Sequence, residues 1–277
     1  MFLRSLLSSV RPLRSSSRAM SGLVSVEHGE NGVAKLLLNR APVNSLNLEL
    51  LQDIRAALDE VHADKAVKGI ILGTTKPGIF SAGLDITEMY EPDEARLNEF
   101  WRNLQEVWMA LYGSRLPTVA AVEGHAPAGG CLLAMSCDER VMATGKFKMG
   151  LNETLLGIVA PPWFIDTMVN TIGHRESERM LGLGLQVDAE AAVRMGMVDQ
   201  AVALEEVMAA AEAKLAHWMK IPAAARFETK MRMRSGAIEK LKATQDQDIA
   251  DFVNFILTDQ VQASLGGYIA MLKKPRK

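Results

Sequence analysis

Pro117-Thr118-Val119-Ala120-Ala121-Val122 is a continuous apolar run, and Gly124-His125-Ala126-Pro127-Ala128-Gly129-Gly130-Cys131 follows it almost directly. Gly129–Met135 then reads as a helix and Arg140–Ala143 as another strand. A strand without polar alternation is buried on both faces, and a helix between two such strands is a crossover connection. This stretch therefore predicts parallel strands in a sheet covered on both sides. The same grammar extends upstream. Val33–Leu38 is a short β-rich run that stops at the turn Asn39-Arg40-Ala41-Pro42. Leu48–Val61 carries apolar residues at 50, 51, 54, 57, 58 and 61, the stripe of an amphipathic helix. Val67–Leu72 is a second continuous strand closed by Gly73, and Leu97–Leu111 is helical again. No internal sequence repeat is visible.

Beyond about residue 170 the strand signals stop. His174–Leu183, Ala189–Met195, Ala203–Met219, Pro222–Met233, Ala237–Leu257 and Gln260–Leu272 all carry helical periodicity. Asp188 is placed to cap the second of these and Gly196 to end it. The expected organisation is an α/β body over residues 21–200 and a helical region over 201–277, serving as a lid over a site or as an oligomerisation layer.

Composition narrows the function. The chain has 277 residues, 48% of them apolar and 23% charged, which excludes wholesale disorder. The net charge of −2 argues against a general nucleic-acid binder. Cys131 and Cys137 are the only cysteines, too few for a disulfide scaffold or a cysteine-built zinc site, and no metal site is expected. No uncharged apolar run reaches the roughly 18 residues of a membrane span. The first twenty residues stand apart: they hold Arg4, Arg11, Arg14 and Arg18, many serines and no acid, with apolar residues at helical spacing. This is the pattern of a mitochondrial transit peptide, so residues 1–20 are expected to direct the protein to the mitochondrial matrix.

Three segments carry chemistry. Phe80-Ser81-Ala82-Gly83-Leu84-Asp85-Ile86 and Gly124–Cys131 each place glycine between a strand and a helix, where backbone N–H groups can be aimed at a ligand. Neither is a dinucleotide or P-loop signature. Met149-Gly150-Leu151-Asn152-Glu153-Thr154-Leu155-Leu156-Gly157-Ile158 sets one carboxylate in an apolar stretch, where a raised pKa would suit a base. Taken singly, the glycine clusters are explained equally well by tight packing, and Glu153 better by a turn cap or a solvent-facing acid.

Together and in order, these blocks resemble the crotonase, or enoyl-CoA hydratase/isomerase, superfamily. The resemblance spans about residues 25–270 and includes the Asn44-Ser45-Leu46 turn and the Leu183–Val202 stretch. Within it the chain is similar to the mitochondrial enoyl-CoA delta isomerase branch. The resemblance implies a spiral of ββα units followed by helices that pack a homotrimer. It implies a substrate that is an acyl-CoA thioester, with coenzyme A carried by the substrate and no separate cofactor. The backbone N–H groups of Leu84 and Gly129 would bind the thioester oxygen. Ala82, Gly83, Asp85 and Ile86 complete the implied binding segment, with Ala82 and Ile86 along the thioester path. Asp85 reads better as a helix-start residue that accepts backbone N–H bonds.

Hydratases of this superfamily carry two glutamates. Here the first position is Leu132 and only the second survives, as Glu153. One base, one oxyanion hole and a dry site suffice for a 1,3 proton shift, from C2 of a 3-enoyl-CoA to C4. The implied activity is therefore isomerisation of 3-cis or 3-trans enoyl-CoA to the 2-trans isomer in fatty-acid β-oxidation. A hydratase, or a non-catalytic acyl-CoA- or RNA-binding homologue, is the alternative. Among the remaining polar residues, His125 and Glu123 read as loop residues and Cys131 as core. Asn152 reads equally as an aid to Glu153 or as loop support. Trp163 and Phe164 read as walls of an acyl cavity or as core. The Lys230–Arg234 and Lys273–Lys277 clusters read as solvated helix faces or as contacts for CoA phosphates.

Overall fold

The computed structural model describes residues 22–273, so the predicted targeting segment and most of the Lys273–Lys277 cluster lie outside the described residues. Among the described residues nine strands are formed: β1 Val24–His28, β2 Val33–Leu38, β3 Gly69–Thr74, β4 Gly78–Ile79, β5 Thr118–Val122, β6 Gly124–Pro127, β7 Glu139–Ala143, β8 Met149–Gly150 and β9 Gln200–Val202. Nine helices accompany them: α1 Leu48–Ala63, α2 Glu94–Tyr112, α3 Gly129–Ser136, α4 Pro162–Ile172, α5 His174–Leu183, α6 Ala189–Arg194, α7 Val207–Met219, α8 Ala223–Ile256 and α9 Asp259–Leu272.

The strands make two sheets. The larger runs β1-β2-β3-β5-β7-β9 and the smaller β4-β6-β8. Only the β1–β2 pair is antiparallel. The chain goes three times through a long strand, a short strand and a helix: β3-β4-α2, β5-β6-α3 and β7-β8-α4. This is the ββα succession that the resemblance implies. Every residue of β3 and β5 is buried, so both faces of the sheet are covered. On one face α7 lies so close that a β-carbon at Gly69 would meet Leu215, and one at Gly73 would approach Met208.

Helix starts follow from their caps. Asn47 accepts from the N–H of Leu50 at 3.1 Å, Asp93 from Arg96 at 2.8 Å and Asp188 from Ala191 at 2.8 Å. Gly196, at φ 79°, closes the turn after α6 as expected.

Four expectations need correction. The strand read as Val67–Leu72 begins at Gly69, because the Lys68 N–H is taken by Gly32 O at 2.7 Å before the ladder to β2 starts. The edge strand β1 was not anticipated; its Glu27 and His28 are exposed and break the apolar run. β9 was also missed: three residues are too few to leave a pattern, and its place is set by the neighbouring Asp199–Arg140 pairing (2.8 Å from Arg140 N to Asp199 Oδ2). The sheet therefore continues past residue 200, and α7, the first helix of the expected helical region, packs onto it. Finally, Pro222–Met233 and Ala237–Leu257 form one helix of 34 residues across Ser235-Gly236, with non-helical backbone only at Thr244. A glycine in a helix costs only about 1 kcal/mol, and burial of Ile238 and Leu241 outweighs it.

Candidate active site

The short strands and their turns extend from the C-terminal ends of β3, β5 and β7, the end where open parallel sheets present ligand sites. The Phe80–Ile86 segment is held there by a bracket of backbone bonds. Phe80 N donates to His125 O at 2.9 Å, Ala82 N to Val43 O at 3.0 Å and Leu46 N to Gly83 O at 2.8 Å, while Leu46 O accepts from Asp85 N at 2.9 Å. The turn beneath is fixed by Asn44, fully buried, which donates to Thr74 Oγ1 at 2.8 Å and to Phe80 O at 3.0 Å. In this one-residue parallel bridge between Leu46 and Leu84, the bonds are made by the neighbours of Leu84. The N–H of Leu84 itself points to the other side, and no acceptor takes it among the described residues.

That other side is the start of α3. Gly83 has φ +87°, and a β-carbon there would lie 2.9 Å from Ala128 Cβ and 3.2 Å from Gly129 N. The two loops touch through glycine because no side chain fits between them. Ala128 precedes the helix at φ 47° and ψ −122°, a conformation costly for a residue with a β-carbon, roughly 1–3 kcal/mol. The strain turns the chain so that the N–H of Gly129, first in the helix and without an intrahelical partner, opens beside Leu84. α3 is buried along its whole length, so its positive end acts in a low-dielectric setting.

Glu153 arrives on the third turn. It opens a single 3-10 turn, Glu153–Leu156, that Gly157 closes in the left-handed region at φ 68°. The Glu153 side chain is 8% exposed, and neither carboxylate oxygen has a hydrogen-bond partner. Burial pushes its pKa up to about 7, offset only in part by its own backbone amide. Glu153, Ala82, Leu84, Ile86 and Ala128 share a cavity of about 140 Å³, and among the described residues Glu153 is its sole acidic lining residue.

The predicted site residues separate into groups. Ala82, Leu84, Ile86 and Glu153 line the cavity; Gly83 and Gly129 do not line it and meet where the two loops touch beside Leu84 and Ala128. Asp85 turns away. Its Oδ2 pairs with Arg40 Nη2 at 2.8 Å and its Oδ1 accepts from Thr87 N at 3.1 Å, the helix-start role read from the sequence. His125 lies outside the cavity: its Nδ1 accepts from Lys148 N at 3.2 Å and its ring stands edge-on to Phe147. Cys131 and Leu132 are fully buried in α3, and burial raises the Cys131 thiol pKa. Asn152 joins the lining with its Oδ1 unpartnered. Phe164 walls the cavity, and Trp163 lies behind it on an adjoining groove.

The Lys230–Arg234 cluster is neither a solvated face nor a free cationic patch. Lys230 Nζ is 2.6 Å from Asp138 Oδ2 and Arg234 Nη2 is 3.3 Å from Asp138 Oδ1, all three side chains being largely buried. Exposed Arg232 pairs with Glu228 one turn earlier on the same helix. The fold thus spends these charges on tying α8 to the loop before β7.

Other lining residues carried no signal in the sequence. Met89, Trp101, Gln186, Phe252 and Tyr268 reach the cavity from segments up to about 180 residues apart. Trp101, Val159, Pro161 and Phe252 also wall a second, larger groove of about 420 Å³. A Trp or Phe at helical spacing reads as core, and only packing of α2 against α8 shows that these two face open space.

The model of the enoyl-CoA hydratase/isomerase family matches residues 28–275. Enoyl-CoA delta isomerase 1, mitochondrial, of Mus musculus is 46% identical over 249 residues, 90% of this chain and 86% of that protein. The Homo sapiens protein of the same name is 45% identical over 246 residues, 88% of this chain and 82% of that one. The crystal structure of human mitochondrial delta3-delta2-enoyl-CoA isomerase superposes with a TM-score of 0.89 at 45% identity, covering 91% of this chain and 98% of the other. On its sequence, its ββα architecture and this match over most of its length, the chain belongs to the enoyl-CoA hydratase/isomerase family.

Proposed function

We propose that this protein is a delta3-delta2-enoyl-CoA isomerase that moves the double bond of 3-cis or 3-trans enoyl-CoA to the 2-trans position. The observation that carries the reading is Glu153: one buried carboxylate without a hydrogen-bond partner, in a largely apolar cavity that Leu84 also lines. The thioester oxygen would sit on the N–H groups of Leu84 and Gly129. Loss of a proton from C2 puts negative charge on that oxygen, and two fixed donors stabilise the enolate without reorganising; one such donor is typically worth about 2.7–4 kcal/mol. Glu153 takes the C2 proton, the electron pair delocalises through the enolate to C4, and the same carboxyl returns the proton there. A pKa of about 7 suits both halves, since the group is close to half ionised at neutral pH.

The same geometry disfavours hydration. Leu132 stands fully buried where hydratases carry their first glutamate, so no second carboxylate is available to activate water. The acyl tail is assigned to the larger groove, because the cavity at Glu153 is small and shares four walls with it. The acid-free, arginine-bearing N-terminus and the mitochondrial designation of the relatives support a place in mitochondrial β-oxidation, in the matrix. The helical C-terminal region and the family resemblance support a homotrimer. No helix among the described residues is long and apolar enough to cross a membrane.

The test is to incubate purified protein with 3-hexenoyl-CoA and, separately, with crotonyl-CoA, and to follow products by chromatography. Conversion of the first to 2-trans-hexenoyl-CoA without hydration of the second is expected. Glu153→Gln should lower kcat by about 10²–10⁴-fold and leave KM little changed. Dominant hydration of crotonyl-CoA, or near-normal isomerisation by Glu153→Gln, would overturn the reading.

A further inference from the structure

Asp166, Asp248 and Asp251 line the groove beside the Glu153 cavity, and one of them, Asp248, ties three helices together without a part in the proton shift. Asp248 lies on α8 one turn beyond Thr244, where φ −121° and ψ 16° interrupt the helix. Its Oδ2 accepts three N–H groups: Trp101 Nε1 at 2.8 Å, Trp163 Nε1 at 3.2 Å and Gln105 Nε2 at 2.7 Å. Two donors come from α2 and one from α4, so a single side chain pins the broken helix to two others. One turn further, Phe252 stacks on Trp101 with ring centroids 3.5 Å apart and planes 7° apart. Trp101 meets Trp163 edge-on at 5.8 Å. Trp101 and Phe252 wall both the cavity and the groove, while Trp163 and Asp248 itself face the groove.

Packing alone does not require a carboxylate at this position. An apolar side chain would fill the space, as apolar groups do throughout the core, and would avoid removing a charge from water. What a carboxylate adds is direction. Two indole rings have large apolar faces that can pack in several orientations. Charge-assisted bonds to their N–H edges select one of them. The selected orientation sets the wall that the two cavities share at Trp101.

We propose that Asp248 is a positioning residue that sets acyl-chain length: by holding Trp101 and Trp163 at their N–H edges and α8 at its break, it keeps the groove open to a long acyl tail. The inference rests on the isomerase reading and on the tail occupying the groove. Binding energy gained along a remote tail is lost when its walls are free to turn, whereas the reacting end, held by Leu84, Gly129 and Glu153, is affected much less.

The experiment compares Asp248→Leu with the unmodified enzyme on 3-hexenoyl-CoA and on 3-dodecenoyl-CoA. kcat/KM for the long substrate is expected to fall about tenfold or more, mainly through KM, and for the short one by about threefold or less. Asp248→Asn, which keeps one acceptor oxygen, should restore part of the difference. Equal loss on both substrates, or no loss on either, overturns the proposal. Should Asp248→Leu fail to fold, Trp163→Phe removes one donor and keeps an aromatic, though smaller, ring and the carboxylate, and the same selective loss, smaller in size, is expected. Hexanoyl-CoA and dodecanoyl-CoA binding, read by tryptophan fluorescence, gives the same ratio as Kd without turnover. If the unmodified enzyme does not convert 3-hexenoyl-CoA, the isomerase reading fails; the Kd ratio still decides the role of Asp248.

Discussion

Gly129 stands so close to Leu84 that a β-carbon on it would lie 3.1 Å from Leu84 Cδ2 and 3.4 Å from the Leu84 nitrogen. Two loops that follow different strands of the large sheet thus meet closely at this point. Gly129→Ala would place a methyl in that space and push Leu46 and Leu84 apart by a few tenths of an ångström. We expect kcat to fall by about 10–10²-fold, since small misplacements of such donors are felt strongly at the transition state. The contacts are with flexible leucine ends, so the melting temperature should move little. Steady-state kinetics and thermal unfolding on the same preparation check both.

Glu153 links catalysis to stability. Its carboxyl titrates at 4.5 ordinarily and at about 7 in the folded chain, so between those values the folded state holds the extra proton. Stability contributed by the protonated form is complete below pH 4.5 and is lost as pH rises through 7. By pH 8 the buried charge costs about 3 kcal/mol. Glu153→Gln stays neutral throughout, so it should unfold at higher urea than the unmodified protein at pH 8, with the gain vanishing near pH 5. An equal difference at both pH values would count against a raised carboxyl pKa.

The same titration should shape the rate. kcat/KM is expected to rise with pH along a single limb with an apparent pKa near 7, as the free enzyme's base ionises. A limb near 4.5 in a pH–rate profile with 3-hexenoyl-CoA would mean that the base is solvated.

Lys230 and Asp138 predict a purely structural effect far from the chemistry. Lys230→Met leaves Asp138 with Arg234 as its remaining cation and removes the donor to Ser114 O (2.9 Å) and Leu116 O (3.2 Å). Breaking a buried pair from one side should cost about 3 kcal/mol. Adding Asp138→Asn should recover part of it, because a buried carboxylate left with fewer partners is then replaced by a neutral amide. Urea denaturation of the two variants measures this, and kcat of the folded fraction should be unchanged in Lys230→Met.

The N-terminal segment makes a prediction of its own. Residues 1–25 fused to a fluorescent reporter should carry it into mitochondria, and Arg4→Glu, Arg11→Glu and Arg14→Glu together should abolish import. Microscopy showing the unmodified fusion in the cytosol would remove the targeting argument.

Much of this protein was legible one residue at a time. Strands buried on both faces must be apolar throughout, so Pro117–Val122 and Val33–Leu38 declared themselves, and a cap such as Asp188 acts on an N–H three residues away. The Gly-bearing turns and the isolated Glu153 were visible for the same reason: they break an apolar background locally. The sequence by itself therefore determined the α/β succession, the absence of a second carboxylate at position 132 and the identity of the candidate base. Tertiary structure alone decided the rest. β9 is three residues long and exists only because β7 offers it an edge. Lys230 reads as a surface charge until Asp138, 92 residues earlier, is folded against it. Trp101, Asp248 and Phe252 read as helix-face residues until α2 and α8 meet. The apolar stretch around Glu153 hints at a raised pKa, but only the fold sets it, because desolvation comes from the whole cavity wall, assembled from strands, turns and helices that the chain brings together on folding.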